Sequence, residues 1–192
     1  MLKETKWSID QAHSTIEFKI RHLMISNVKC SFKTFDASIY TSGKDFTTSE
    51  IDLWIDVNSI STGNEKRDEH LKSSDLFDIV NHKQITFSAS TMTEADKEGN
   101  QDLWGELTIK GITKNVKLIV GFGGIASDSW GNEKAGFSVT GEIKRSEFGL
   151  NWNTYIETGG FLVSDEVKIS CDIELINVSD KKVEMVLEPY SG

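Results

Sequence analysis

The sequence predicts an all-β protein, an antiparallel barrel of about eight strands with one short helix inserted between two of them. Three observations predict it. Apolar and polar residues alternate with a period of two along most of the chain, turn residues punctuate these runs, and one stretch, Thr62 to Asp78, breaks the alternation with a dense cluster of charges. Strands with one wet and one dry face exclude a parallel sheet covered by helices on both sides, whose strands are apolar throughout.

The runs follow in order. "STIEFKI" sets Ile16, Phe18 and Ile20 against Thr15, Glu17 and Lys19, and "KCSFKTFDASIY" continues as a second strand. "EIDLWIDV" places Ile51, Leu53, Ile55 and Val57 on one face and Asp52, Trp54 and Asp56 on the other. "QITFSAS" turns Ile85, Phe87 and Ala89 inward, and "DLWGELTI" aligns Leu103, Gly105, Leu107 and Ile109. The "KG" before "ITKNVKLIVGFG" is a turn signal that makes those two runs a hairpin. "GFSVTGEI" aligns Phe137, Val139, Gly141 and Ile143, and "EVKISCDIELI" aligns Val167, Ile169, Cys171, Ile173 and Leu175. A two-sheet sandwich or a closed barrel satisfies this pattern. Long strands with a single apolar face suit a barrel of lipocalin type, whose interior either fills with side chains or holds one ligand.

The interruption reads as a helix. Thr62 followed by Glu65 has capping-box spacing, which predicts a start at Gly63, and Asp68 with Lys72 can pair on the wet face. Ser73 or Ser74 can cap a second turn carrying Leu76 and Phe77. Leu71, Leu76 and Phe77 are then the plug of a lid over one barrel end. The alternative is a crossover helix packed outside.

Composition narrows the functional classes. With 21 basic and 30 acidic residues the net charge is −9, and no clustered positive charge stands out, which disfavours nucleic acid and anionic membrane surfaces as partners. No apolar run is long enough to span a bilayer and none resembles a leader; the expected setting is cytoplasmic, or periplasmic if a leader has been removed. No linker interrupts residues 1–192, and the single proline, Pro189, lies near the C-terminal end, so one domain is expected. Cys30 and Cys171 are too few for a disulfide scaffold and read as free thiols.

Catalytic and metal patterns are weak. The histidines, His13, His22, His70 and His82, show no zinc spacing, and His13 and His22 stand about 30 Å apart in an extended strand. There is no G-x-S-x-G elbow, and "GFGG" carries no lysine and opens no helix. No catalytic residue, metal or cofactor is expected. The inward residues Phe18, Ile55, Val57, Phe87, Leu107, Phe137, Val139 and Ile169, with Leu71 and Phe77 of the lid, are candidates for contact with an apolar ligand. Arg67 and Asp68, with His13, Arg21, His22, Arg145 and Trp152, are candidates for its headgroup.

The words "WSIDQAHSTIEFKIRHLMISNV", "NSISTGNEKRDEHLKSSDLFD", "ITFSAS", "GELTIKGITKNVKL", "DSWGNEKAGFSVTGEIKRSEFGLNW" and "GGFLVSDEVKI" occur in this order along nearly the whole chain. In these the sequence resembles the YceI-like family. The resemblance implies an extended lipocalin-like barrel that binds a long apolar chain, an isoprenoid first and a fatty-acyl chain next, without catalysis. Two positions depart from the family pattern. Cys30 stands where glycine is common, and Lys83 where proline is common. The competing reading is a filled barrel acting as an interaction module, a homodimer included, with Trp54 on a polar face as its one cue. An enzyme acting on lipids ranks last.

Overall fold

The structure, a computed structural model, describes residues 4–154 and 162–179; Pro189 and part of the "GGFL" word lie outside the described residues. Eleven strands form one antiparallel sheet: β1 (Glu4–Ile9), β2 (Thr15–His22), β3 (Ser26–Phe32), β4 (Phe35–Ser42), β5 (Asp45–Asp56), β6 (Ile60–Ser61), β7 (Gln84–Met92), β8 (Asn100–Ile109), β9 (Ile112–Ser127), β10 (Glu133–Lys144) and β11 (Val163–Asn177). One helix, α1 (Glu65–Lys72), lies between β6 and β7. The order β1-β4-β5-β7-β8-β9-β10-β11 closes on itself through β1–β11, giving an eight-stranded barrel.

The three remaining strands are continuations rather than additions. Strand β11 pairs with β2 through Val163 to Asp172 and with β1 through Leu175 to Asn177, so β1 and β2 are two halves of one strand line. The line breaks at a 3-10 turn, Gln11–His13, whose start Asp10 caps by accepting from the Ala12 N–H. The run "KCSFKTFDASIY", expected as one strand, likewise splits into β3 and β4 at Lys33 and Thr34. Strand β5 breaks before β6 at Val57–Ser59, capped by Asp56. Two of these breaks support each other: the Ser59 hydroxyl accepts from the backbone N–H groups of Lys33 and Thr34. Strand β1 was not among the expected runs. Its inward residues are Thr5, Trp7 and Ile9, and the polar first member masks the alternation.

The β8–β9 hairpin turns at Lys110 and Gly111, both with positive φ (51° and 74°), the type I′ geometry that matches strand twist. Gly105 of β8 has a packing role. A Cβ there would lie 2.5 and 2.7 Å from Phe87 ring carbons and 2.7 Å from the Ser88 carbonyl oxygen, so the glycine makes room for the ring. Gly105→Ala is expected to destabilise the fold by about 1–3 kcal/mol through overpacking, measurable by urea unfolding.

One end of the barrel is filled by aromatic rings. Trp7, fully buried, stacks 5.0 Å from Phe46, which meets Phe137 at 4.9 Å and Phe122 at 5.7 Å. The Trp7 indole N–H donates to Thr41 Oγ1 (3.0 Å), and the Thr41 hydroxyl donates to the Gly43 carbonyl. Buried polar atoms are thereby satisfied, as a low-dielectric interior requires.

Candidate ligand cavity and its mouth

Alternation puts Phe18 and Ile20 of β2, Phe137, Val139 and Ile143 of β10, and Ile169 and Ile173 of β11 inside the barrel. Yet all of them are only partly buried. Residues on the same inner surface of β7 and β8, such as Ile85, Phe87, Leu103 and Leu107, are buried. The surface left on β2, β10 and β11 belongs to an internal cavity of about 580 Å³ with an almost wholly apolar lining. That volume falls within the range of ligand sites.

The cavity brings most of the expected apolar contacts together. Phe18, Ile55, Leu71, Phe77, Phe87, Leu107, Phe137, Val139 and Ile169 line it. Val57 does not: it sits in the 3-10 turn after β5, 2% exposed, and packs in the core. Of the headgroup candidates, His22, Arg67, Arg145 and Trp152 line the cavity, while His13, Arg21 and Asp68 lie away from it. Lys66 and His70 join the lining without having been expected. Lys66, Arg67, His70 and Leu71 share one face of α1, a spacing of the helical period that was legible in the sequence.

The helix is built differently from its sequence-based expectation. Asn64, not Thr62, is the N-cap, accepting from the Arg67 N–H, and the helix begins at Glu65. Thr62 instead locks two side chains. Its N–H and hydroxyl donate to Asp68 Oδ1 at 2.8 and 2.6 Å, while Arg67 donates from Nε to Thr62 Oγ1 and from Nη2 to the Thr62 carbonyl. Asp68 therefore serves the helix start in place of an Asp68–Lys72 pair. Arg67 keeps Nη1 without a hydrogen-bond partner among the described residues, beside the cavity. His70 ties the lid to the segment after β10: its ring meets Trp152 edge-on at 4.5 Å, while Nε2 lies 3.2 Å from Asp75 of the lid's own connection to β7.

Arg145 is a clamp. It is 7% exposed, and its guanidinium donates to the carbonyls of Leu150, Trp152 and Ser164 at 2.6–2.9 Å. This ties the segment after β10 to the start of β11. Burial pushes its pKa down, and the nearby Asp165 opposes that.

Cys30 and Cys171 line the cavity as free thiols. They occupy β3 and β11, on either side of β2, so their Cα atoms are separated by about two strand spacings, roughly 10 Å, beyond disulfide reach. Burial pushes the Cys30 thiol up to about 12, with Arg67 pulling it down and Asp68 up, and the Cys171 thiol up to about 11. Both stay protonated at neutral pH, which removes their nucleophilic form.

Among the described residues one cluster has metal-ligand character, Asp10, His13 and Glu174. Its centre is occupied by the chain's own cation: Lys134 Nζ lies 2.7 Å from both Asp10 Oδ2 and Glu174 Oε1. The cluster therefore serves as a seam joining β10, β11 and the β1–β2 break. Lys134 holds the Asp10 carboxyl down at about 2 from an ordinary 3.8, with burial opposing, and the Lys134 ammonium is held above its usual range by the two carboxylates. Because the folded pKa of Asp10 is depressed, its stabilisation is present above about pH 4 and lost as pH falls toward 2. Asp10→Asn is expected to lower the melting temperature at neutral pH and to flatten its decline between pH 4 and 2.

Comparison with known proteins agrees with this geometry. The family model described as YceI-like domain matches residues 7–175. A UPF0312 protein of Staphylococcus aureus (strain N315) is 40% identical over 171 residues, covering 88% of this chain and 96% of its own. The crystal structure of a Campylobacter jejuni YceI protein superposes with a TM-score of 0.68 at 33% identity, over 82% of this chain and 90% of that one. BcnA of Burkholderia cenocepacia has the same fold, with a TM-score of 0.71 at 24% identity over 86% of this chain and 98% of its own. A polyisoprenoid-binding domain from Saccharophagus degradans also shares the fold, with a TM-score of 0.60 at 15% identity over 89% and 98%. A closed eight-stranded barrel with an apolar lumen, matched over nearly its whole length by the family model, makes this chain a member of the YceI-like family.

Proposed function

We propose that the protein is a non-enzymatic carrier or store for one long apolar chain, an isoprenoid first and a fatty-acyl chain second. The carrying observation is the apolar lumen of about 580 Å³ beneath α1. At about 30 Å³ for a water-sized group, that volume accommodates roughly 20 methylene-sized groups. Each buried CH₂ contributes about 0.8 kcal/mol, so chain length dominates affinity and few polar contacts are needed. The isoprenoid is put first because a neighbour of the same fold is described as a polyisoprenoid-binding domain. Lys66 and the free Nη1 of Arg67 suit a hydroxyl or anionic head through charge-assisted hydrogen bonds.

Mass spectrometry of an organic extract of gently purified protein tests this reading, with added geranylgeraniol as the defined probe. A stoichiometric polyprenyl or acyl species supports it. A clean extract combined with no uptake of geranylgeraniol overturns it. Leu71→Asp places a charge on the lumen face of the lid, and is expected to cut lipid retention at least tenfold while lowering the melting temperature by only a few degrees. Equal losses in both make the helix merely structural.

A further inference from the structure

The tip of the β2–β3 hairpin is built against the usual rules of turn chemistry. Leu23 and Met24 both have positive φ (53° and 60°), a conformation costly for large side chains and ordinarily given to glycine or asparagine. The hairpins β4–β5, β7–β8, β8–β9 and β9–β10 each place a glycine at positive φ: Gly43, Gly99, Gly111 and Gly131. The β2–β3 tip has none. It instead exposes Met24 (60%) and Ile25 (79%) to solvent. Backbone strain and apolar exposure thus coincide at this tip.

Its position and surroundings say what it meets. The inner face of the hairpin, Ile20, His22 and Val28, lines the cavity, and the Leu23 N–H donates to the carbonyl of Leu162, just before the neighbouring strand β11. The apolar surface therefore runs from the lumen out to the tip. Strand β2 stays in the ring through its pairing with β11, while β3, beyond the Ser31–Ser61 and Phe32–Ile60 pairs, has no strand partner on its other edge among the described residues, so that edge of the hairpin is open. Its outer face is basic. From Phe18 to Phe35 the chain carries Lys19, Arg21, Lys29 and Lys33 and no acidic residue, all four cations being exposed in a protein of net charge −9. Lys19 faces Lys29 directly across the strands, an arrangement unfavourable for folding alone; Glu17, at the base, neutralises only Lys29. An apolar tip behind a basic collar is the pattern that inserts into a bilayer carrying anionic lipid.

We infer that Met24 and Ile25 form a membrane-docking finger that seats the cavity mouth on an anionic lipid bilayer, where a ligand chain is loaded or delivered. This rests on the carrier reading for its purpose, though the docking itself is measured separately. The test is co-sedimentation with vesicles of phosphatidylcholine and phosphatidylglycerol (7:3) and of phosphatidylcholine alone, for the full chain and the Met24→Gly/Ile25→Ser variant. Glycine relieves the positive φ, so the variant keeps or raises its melting temperature, and misfolding cannot explain a loss. The expected result is binding to the mixed vesicles, weakened by pure phosphatidylcholine or high salt, and at least tenfold weaker in the variant. Trp130→Ser, at the opposite end of the barrel, leaves binding unchanged. Wild type that ignores both vesicles, or a variant that binds as well, overturns the finger. Wild type that dimerises through this tip, with the variant monomeric, also overturns it, in favour of a second copy. If vesicle binding fails while geranylgeraniol is taken up from solution, the finger falls and the carrier reading stands; vesicle binding without geranylgeraniol uptake does the reverse.

Discussion

Val139→Trp is expected to empty the barrel of lipid while leaving it folded. Val139 points inward from the middle of β10, between Val120 of β9 and Cys171 of β11, and is only partly buried because it faces the lumen. An indole there occupies the space in which a ligand chain would lie. Overpacking costs stability where side chains already fill the volume, and this wall is unfilled. Ligand affinity should fall at least tenfold, about 1.4 kcal/mol, with the melting temperature within a few degrees of wild type or higher. Ile119→Trp, on the outward face of β9, should change neither quantity. A collapse in melting temperature for Val139→Trp shows that the wall is packed; unchanged retention places the ligand elsewhere.

Trp7→Ala should produce the largest loss of stability of any single replacement considered. Trp7 is fully buried, packs on Phe46, and belongs to β1, the strand that closes the ring by pairing with both β4 and β11. Removing a buried aromatic costs about 3–5 kcal/mol. At roughly 2–4 °C per kcal/mol for a protein of this size, the melting temperature should drop by about 6–20 °C. Trp7→Phe keeps the ring contact and loses chiefly the hydrogen bond to Thr41, so its cost should be nearer 1 kcal/mol. Thermal and urea unfolding of the pair separate packing from hydrogen bonding. Similar losses in both variants contradict the packing account.

Several features were readable from spacing alone. The inward phase of Phe87, Leu107, Val139 and Ile169, the Lys110–Gly111 hairpin and the one helical interruption all follow from local periodicity. The strand breaks were not. Asp10, Asp56 and Ser59 make them through side-chain bonds to nearby backbone, and the same residue types serve as ordinary surface residues elsewhere. Nor was the lock on Arg67: Thr62 has capping-box spacing, yet Asn64 takes the cap and frees Thr62 to hold Arg67 and Asp68. Net charge is silent on local grouping: a sum of −9 averages away the four exposed cations between Phe18 and Phe35, and surface electrostatics depend on such grouping.

By itself the sequence determined which side of each strand is dry, where most strands lie, and that the sheet is antiparallel, because a period of two is set residue by residue along the backbone. Only the tertiary structure decided that the barrel is hollow. Alternation is identical in a filled and an open barrel, and the lumen depends on side chains far apart in the chain failing to meet across it. The same long-range geometry decided that Lys134, 124 residues from Asp10, fills the one site with metal-ligand character among the described residues. It also placed Lys66, Arg67 and His70 at the cavity and left His13 outside it, since which wall a helix face meets is settled only when the ring closes.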